Sequence, residues 1–350
     1  MGRASGIELA WFAPLCDDDY AQLGVPDPSL VSSWEHCRDI VLRAEANGFD
    51  NVLLPSGYEL GIDSVAFAGG VAPLLEQIRL LVAVRCGELW PPQLARQLAT
   101  LDQMLGGRLT INIISSDLPG APLESARRYA RTLEVMQILR TLLNGEDLQC
   151  SGEFYQLELP APNATTQVGR CPPFYFGGLS EPAREVAAEA ADVFLMWPDT
   201  LPALAETISD LRARAARHDR SLRFGYRAHV IVRESEREAR EAARRLVGAL
   251  EPEAGESIRR RSLDHASAGV ARQSALRRES DSDGFIEPQL WTGIGRGRSG
   301  CGAAIVGDPD QVHAKLLAYA ELGIETFILS GYPHLDECDL FARYVLPRLS

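Results

Sequence analysis

Short apolar runs alternate along this chain with longer stretches whose apolar residues recur every three or four positions. The pattern predicts eight strand and helix pairs. The runs are IELAWFAP (7–14), NVLLP (51–55), RLLVAV (79–84), RLTINII (108–114), PPFYFGG (172–178), DVFLMW (192–197), RFGYRAHVIV (223–232) and ETFILS (325–330). Between them, helices are expected over 33–47, over the stretch opened by Pro91 and Pro92, over 124–143 and over 201–218. This is the signature of parallel β/α folding. Eight units in 350 residues favour a closed (β/α)8 TIM barrel with insertions over an open doubly wound sheet. The first strand also lacks the glycine fingerprint a dinucleotide-binding sheet would carry.

Two segments break the alternation. Residues 145–171 read as an inserted hairpin and loop. Residues 250–306 are rich in Arg, Ser and Gly with weak periodicity, and are expected to form an irregular, mobile lid beside the last two strands. The chain is otherwise read as one domain, 1–350.

Composition narrows the function. A net charge of -13 disfavours nucleic-acid and anionic-membrane partners, which select clustered Lys and Arg. Seven cysteines without a C-x-x-C pair fit reduced thiols and a cytoplasmic location. No run approaches the ~18 apolar residues of a spanning helix. No H-E-x-x-H, Cys/His cluster or G-x-S-x-G occurs, so a metal hydrolase and a serine esterase are both disfavoured.

The working face of such a barrel is the carboxyl end of its strands. Arg227 and His229 lie two apart on one strand and share a face; Tyr226, Ala228 and Val230 take the other. An Arg inside a barrel requires an anion or a carboxylate, so the choice lies between an internal salt bridge and an anionic ligand beside a proton-handling His. Tyr332 and His334, in LSGYPH, sit where the last strand ends, next in barrel order. Four proton-capable side chains at one mouth exceed what a turn requires. Gly177-Gly178-Leu179-Ser180 ends a strand and opens a helix, a place where backbone N–H groups and Ser180 can meet a phosphate. Gly295 to Gly300 spells G-x-G-x-x-G but follows no strand closely, so Arg298 is read as a lid residue closing over an anion. Trp11 and Trp197 are candidate walls for a flat ring.

Several of these stretches together resemble the bacterial-luciferase-like flavin monooxygenases, in the alkanesulfonate monooxygenase branch. They are WFAP, NVLLPSG, ARQLATLDQMLGGRLTINI, PPFYFGGLSEPAREVAAEAADVFLMW, RFGYRAHVIVRE, LWTGIGRGRSGCGAAIVGDP and ELGIETFILSGYPHLDE, collinear over most of the chain. The resemblance implies a (β/α)8 barrel that takes FMN as FMNH2 from a separate NAD(P)H-dependent flavin reductase. It implies that one atom of O2 reaches a small polar substrate through a peroxyflavin, and that the subunits form a homo-oligomer. Carried over by position, Arg227, His229, Arg298, Tyr332 and His334 are catalytic candidates. Trp197 matches a pocket aromatic, Gly178, Leu179 and Ser180 match the flavin-phosphate turn, and Asn112 is a candidate flavin-ring contact.

Two loops depart from the branch. PLCDDDY places Cys16 and acids where those enzymes carry a His, and SGYELGIDS has no Cys after its turn. Both departures disfavour a simple alkanesulfonate and leave an organosulfur or organonitrogen substrate. Asp17, Asp18 and Asp19 either face the pocket, favouring a cationic or neutral polar substrate, or form a solvated surface, which is the favoured reading. A deazaflavin-dependent oxidoreductase on the same barrel, and a non-catalytic flavin-binding relative, are the competing classes.

Overall fold

The computed structural model describes residues 6–57, 61–260, 267–298 and 300–349. Eight parallel strands close a barrel: β1 (Glu8–Phe12), β2 (Asn51–Leu54), β3 (Arg79–Arg85), β4 (Leu109–Ile114), β7 (Phe174–Phe176), β8 (Val193–Met196), β9 (Arg223–Val232) and β13 (Ile324–Ser330). Closure runs through β8 against β9 and β13 against β1. The segment 145–171 carries the antiparallel hairpin of β5 (Leu148–Ser151) and β6 (Gln156–Leu159), set apart from the barrel sheet.

Helices α1 (Trp34–Ala46), α2 (Ser64–Val71), α3 (Pro91–Met104), α4 (Ser125–Leu143), α5 (Glu181–Ala190), α6 (Leu201–Ala216), α7 (Glu236–Leu246), α10 (Pro309–Glu321) and α11 (His334–Tyr344) surround the strands. Local chemistry starts several of them. Ser33 caps α1 by accepting from the His36 N–H, and Asp308 forms a reciprocal capping box with Gln311 on α10. Outward strand residues such as Leu9, Trp11, Val52, Leu80, Val82, Ile111, Phe174 and Tyr226 are buried beneath these helices. Each such large apolar side chain contributes roughly 1.5–3 kcal/mol by leaving water. None of the helices among the described residues is long and apolar enough to cross a membrane.

The segment 250–306 is more ordered than its weak periodicity predicts. It holds α8 (Pro252–Arg260), α9 (Ala268–Glu279), the short strands β10 (Phe285–Glu287) and β11 (Leu290–Trp291), and a single 3-10 turn over Gly293–Arg296. It leads into β12 (Ala304–Gly307), which pairs in parallel with the end of β9. The pattern was hard to read because these elements are short, and because α9 buries only Gly269, Gln273 and Leu276. Residues 261–266 and Ser299, within this segment, lie outside the described residues.

Inward-facing side chains form two polar levels. At the amino end of the strands, Glu8 accepts from the Asn51 amide at 2.9 Å, the Tyr175 hydroxyl at 2.8 Å and the Thr326 hydroxyl at 3.0 Å. Asn51 also donates to Thr110 at 3.1 Å, and Thr110 donates to the Leu80 carbonyl. Ala10, Phe12, Leu53, Leu81, Tyr175, Val193 and Ile328 form an apolar interior cluster. The second polar level lies at the opposite end.

Candidate active site

Alternation along β9 turns Gly225, Arg227 and His229 inward, and register sets Arg227 beside Ile328 and His229 beside Ser330 on β13. β13 then turns through Gly331 into Tyr332, and His334 opens α11. Arg227, His229, Tyr332 and His334 therefore gather at the carboxyl mouth, all of them buried. The His229 ring stacks on Tyr332 at 5.4 Å between centroids, and Tyr332 meets His334 edge-on at 4.8 Å. The Arg227 guanidinium lies 4.4 Å over the Phe12 ring, and Arg298 lies 5.8 Å over Tyr332. All five residues singled out for chemistry thus meet at one place.

Ionisation follows burial. Arg227 donates to the Ala228 carbonyl at 2.7 Å and to Ser330 Oγ at 2.9 Å. No carboxylate pairs with it among the described residues, so the internal salt bridge that the sequence left open is not formed. Burial, with the charges of Arg227 and Arg298 added, pushes His229 well below the ordinary imidazole range, so it is neutral. Its Nδ1 sits 2.8 Å from Ser330 Oγ. That oxygen already accepts from Arg227, so the hydroxyl hydrogen is free to go to Nδ1, which leaves an N–H on Nε2. Burial raises the Tyr332 phenol against the pull of Arg298, keeping it protonated.

The acids of PLCDDDY are not a solvated surface. Asp17 and Asp19 are buried, because Asp17 pairs with the Arg298 guanidinium and Asp19 is satisfied by two imidazoles and a backbone N–H. Asp17 Oδ2 holds Arg298 Nη1 at 2.5 Å. Asp19 accepts from the His334 backbone N–H at 2.9 Å and faces His334 Nδ1 at 2.7 Å and His36 Nε2 at 3.0 Å. Burial alone would raise the Asp19 carboxyl, but His334 and His36 hold it well below the usual range. An ionised Asp19 fixes the hydrogen of His334 on Nδ1 and leaves Nε2 as a lone-pair acceptor. The two imidazoles thus present opposite functions, an N–H from His229 and a lone pair from His334. Both Nε2 atoms are buried with no hydrogen-bond partner among the described residues.

Around the mouth, Trp197 follows β8 and is half-buried. Cβ atoms at Gly269 and Gly300 would stand 2.8 and 3.3 Å from its indole, so the 250–306 segment crosses this residue at two glycines. Asn112 projects inward from β4 beside Tyr175 in register and is half-buried. Trp11, in contrast, is fully buried on the outer face against Phe49 and Phe341, its indole N–H bonded to the His334 carbonyl. It is core and lines no pocket. Strand parity assigns it outward, since Ala10 and Phe12 take the interior.

A flavin phosphate fits the turn after β7. Ser180 occupies the cap position of α5, yet its side chain makes no capping bond and its buried Oγ has no partner among the described residues. A Cβ at Gly178 would stand 2.6 Å from the Ala183 Cβ and 3.1 Å from the Tyr129 hydroxyl, so only glycine leaves this approach open. The dipole of α5 favours an anion there. Sequence reading missed Tyr129, Ser330 and His36, and it favoured solvent for Asp17 and Asp19, which the structure buries. Ser330 was accessible through its alternation with Ile328. His36 on α1 carries no sequence signal.

A family model described as luciferase-like monooxygenase matches residues 7–326. A sulfoquinovose monooxygenase of Novosphingobium aromaticivorans is 63% identical over 350 residues, covering 98% of this chain and 97% of the relative. A sulfoquinovose monooxygenase of Agrobacterium fabrum is 50% identical over 344 residues, covering 98% and 89%. Among solved structures, riboflavin lyase with modified FMN and riboflavin superposes with a TM-score of 0.80 at 17% identity, covering 98% of this chain and 91% of that one.

Proposed function

The chain belongs to the luciferase-like monooxygenase family, and from that premise we propose that it oxygenates a sulfonated sugar of the sulfoquinovose class, using FMNH2 and O2. The observation that carries this reading is the pair of guanidiniums, buried Arg227 and half-buried Arg298, set beside a His229 N–H and a His334 lone pair. A sulfonate is a permanent anion with three acceptor oxygens, and it matches Arg better than Lys because Arg stays ionised and presents a donor fork. The hydroxyls of a sugar find a carboxylate acceptor in Asp17.

Bound reduced FMN supplies the electrons that activate O2. Its seat would be Ser180, Tyr129 and the backbone of 178–180 for the phosphate, with Asn112 and Trp197 flanking the ring. The net change converts R–CH2–SO3⁻, O2 and FMNH2 into R–CHO, HSO3⁻, FMN and water. In that change Arg227 and Arg298 hold the sulfonate and stabilise charge that grows as the C–S bond breaks. His229 donates a hydrogen bond from Nε2. His334 Nε2 accepts a proton from the oxygenated carbon's hydroxyl. The 250–306 segment, packed across Trp197, acts as the lid that excludes water. A separate flavin reductase and a homo-oligomeric state complete the reading.

The test is incubation with FMN, NAD(P)H, a flavin reductase and sulfoquinovose in air, reading sulfite release and the aldehyde by mass. Absence of sulfite while the reductase turns over would end the substrate claim. Anaerobic titration with FMNH2 and with reduced deazaflavin, read by tryptophan fluorescence, separates the cofactors. Saturation by the deazaflavin alone would end the FMN claim.

A further inference from the structure

We propose that Asp19 is a positioning residue that makes His334 Nε2 the proton acceptor of the site, and that His36 adjusts it from the far side of the carboxylate. This rests on the sulfonate-oxygenating reading for its chemistry, though the geometry stands without it. The three side chains come from three elements. Asp19 lies in the loop after β1, His36 on the first turn of α1, and His334 on the first residue of α11. The contacts are 2.7 Å from Asp19 Oδ1 to His334 Nδ1 and 3.0 Å from Asp19 Oδ2 to His36 Nε2, with the His334 backbone N–H on Oδ2 at 2.9 Å. Asp19 and His334 are fully buried, and His36 is half-buried.

The independent observation is His334 Nε2, which is buried and without a partner among the described residues. A structural aspartate–histidine tie would gain by satisfying the far nitrogen as well, since a buried unpaired polar atom is costly. Here the ring is clamped by Phe12 stacked at 5.6 Å and Tyr332 at 4.8 Å, and Nε2 is left open, with the charges of Arg298 and Arg227 acting on the ring. The arrangement follows the logic of a carboxylate that holds an imidazole in one tautomer and stabilises the imidazolium without taking the proton itself. When a carbon bearing both hydroxyl and sulfonate collapses, the O–H bond breaks and the C=O bond forms. The C–S electron pair leaves on sulfite, and the proton goes to Nε2. The resulting imidazolium is paired with Asp19.

The charged and titratable groups facing His334 are Asp19 from the β1 loop, Arg227 and His229 from β9, Arg298 from the lid segment and the neighbouring Tyr332. Those facing Asp19 are His334, His36, Tyr332 and Cys37. His36 shares the negative charge of Asp19. Its removal therefore leaves more of that charge to His334 and makes Nε2 more basic, whereas removal of the Asp19 charge makes it less basic.

The experiment compares wild type, Asp19→Asn and His36→Phe. Asp19→Asn is expected to lose about 100-fold or more in kcat, with KM and FMNH2 affinity changed by less than about threefold. Its acid limb of kcat moves to lower pH, and that of His36→Phe moves to higher pH. Independently of turnover, ¹⁵N-histidine spectra are expected to show His334 with its hydrogen on Nδ1 in wild type and on Nε2 in Asp19→Asn. Should Asp19→Asn not fold, His36→Phe still decides through its acid limb and its spectrum. Unmoved limbs, or the same tautomer in Asp19→Asn, would overturn the proposal. Wild type showing the expected tautomer while releasing no sulfite would instead count against the substrate reading alone.

Discussion

The two ends of the barrel bury polar side chains in opposite ways. At the amino end, Glu8 gathers Asn51, Tyr175 and Thr326, and Asn51 passes a further bond to Thr110; these donors meet acceptors inside the cluster. At the carboxyl end, His229 and His334 each engage Nδ1 and leave Nε2 open, and Arg227 has no carboxylate, among the described residues. Both clusters span several strands. A closed network rigidifies a core, and an open one costs stability unless a ligand completes it. On the proposed function, the difference makes one end structural and the other chemical, and this contrast does not depend on any relative.

The strongest way to break this comparison is Arg227→Met. If the upper cluster serves chemistry, kcat/KM for sulfoquinovose falls about 1,000-fold, the upper range for a lost charge-stabilising donor. The melting temperature stays level or rises, because a buried guanidinium without a carboxylate is replaced by an apolar chain of similar length. Thermal melts and sulfite assays on one preparation check both halves. A collapse in stability with activity intact would reverse the assignment of the two ends.

Arg298→Ala comes next, with an expected loss of about 100-fold in product. It removes a cation that Asp17 already holds in place, on a segment outside the barrel strands. FMNH2 should still bind, and O2 consumption should reappear as hydrogen peroxide, measured by a peroxidase-coupled assay. Tight coupling of oxygen to product in this variant would remove the lid role.

How much of this was legible depended on which physical rule each residue obeys. The eight strands were, because each is a short run dominated by apolar residues between turn signals. Arg227 and His229 were, since period-two alternation assigns them a shared face, and β13 register then brings in Ser330 and the turn to Tyr332 and His334. The Asp17 and Asp19 pairings were not. Three consecutive acids read as solvated surface, and only the spatial neighbours Arg298, His334 and His36, all remote in sequence, make their burial tolerable. The order within 250–306 was also hidden, because its elements are short and β12 is held in place by pairing with β9.

The lower end supplies the reciprocal experiment. Glu8→Ala leaves the Asn51 amide and the Tyr175 and Thr326 hydroxyls without their common acceptor, at a cost of about 2 kcal/mol in unfolding free energy. Turnover per folded molecule should stay within about twofold, as expected for sites without shared partners. Denaturant unfolding and kcat at one temperature provide the two numbers. A large loss of kcat would mean that the levels are coupled through the apolar layer of Phe12, Leu53 and Ile328.

The smallest effect sharpens the comparison through pH. His229 is buried and neutral, its pKa depressed well below the ordinary value, so the folded protein refuses a proton that the unfolded chain accepts. For a depressed pKa, this contribution is fully present above the unfolded value and is lost as pH falls, so stability should decline from about pH 6.5 downwards. His334, also depressed by burial, adds to the same slope. His229→Gln removes one of these two histidines with a depressed folded-state pKa, and the difference in unfolding free energy between about pH 7 and pH 5.5 should shrink by roughly 1 kcal/mol. Glu8→Ala should keep the wild-type slope, because no imidazole lies in the lower cluster. Equal flattening in both variants would mean that the slope belongs to the molecule at large, and the contrast between the two ends would then rest on unpaired nitrogens alone.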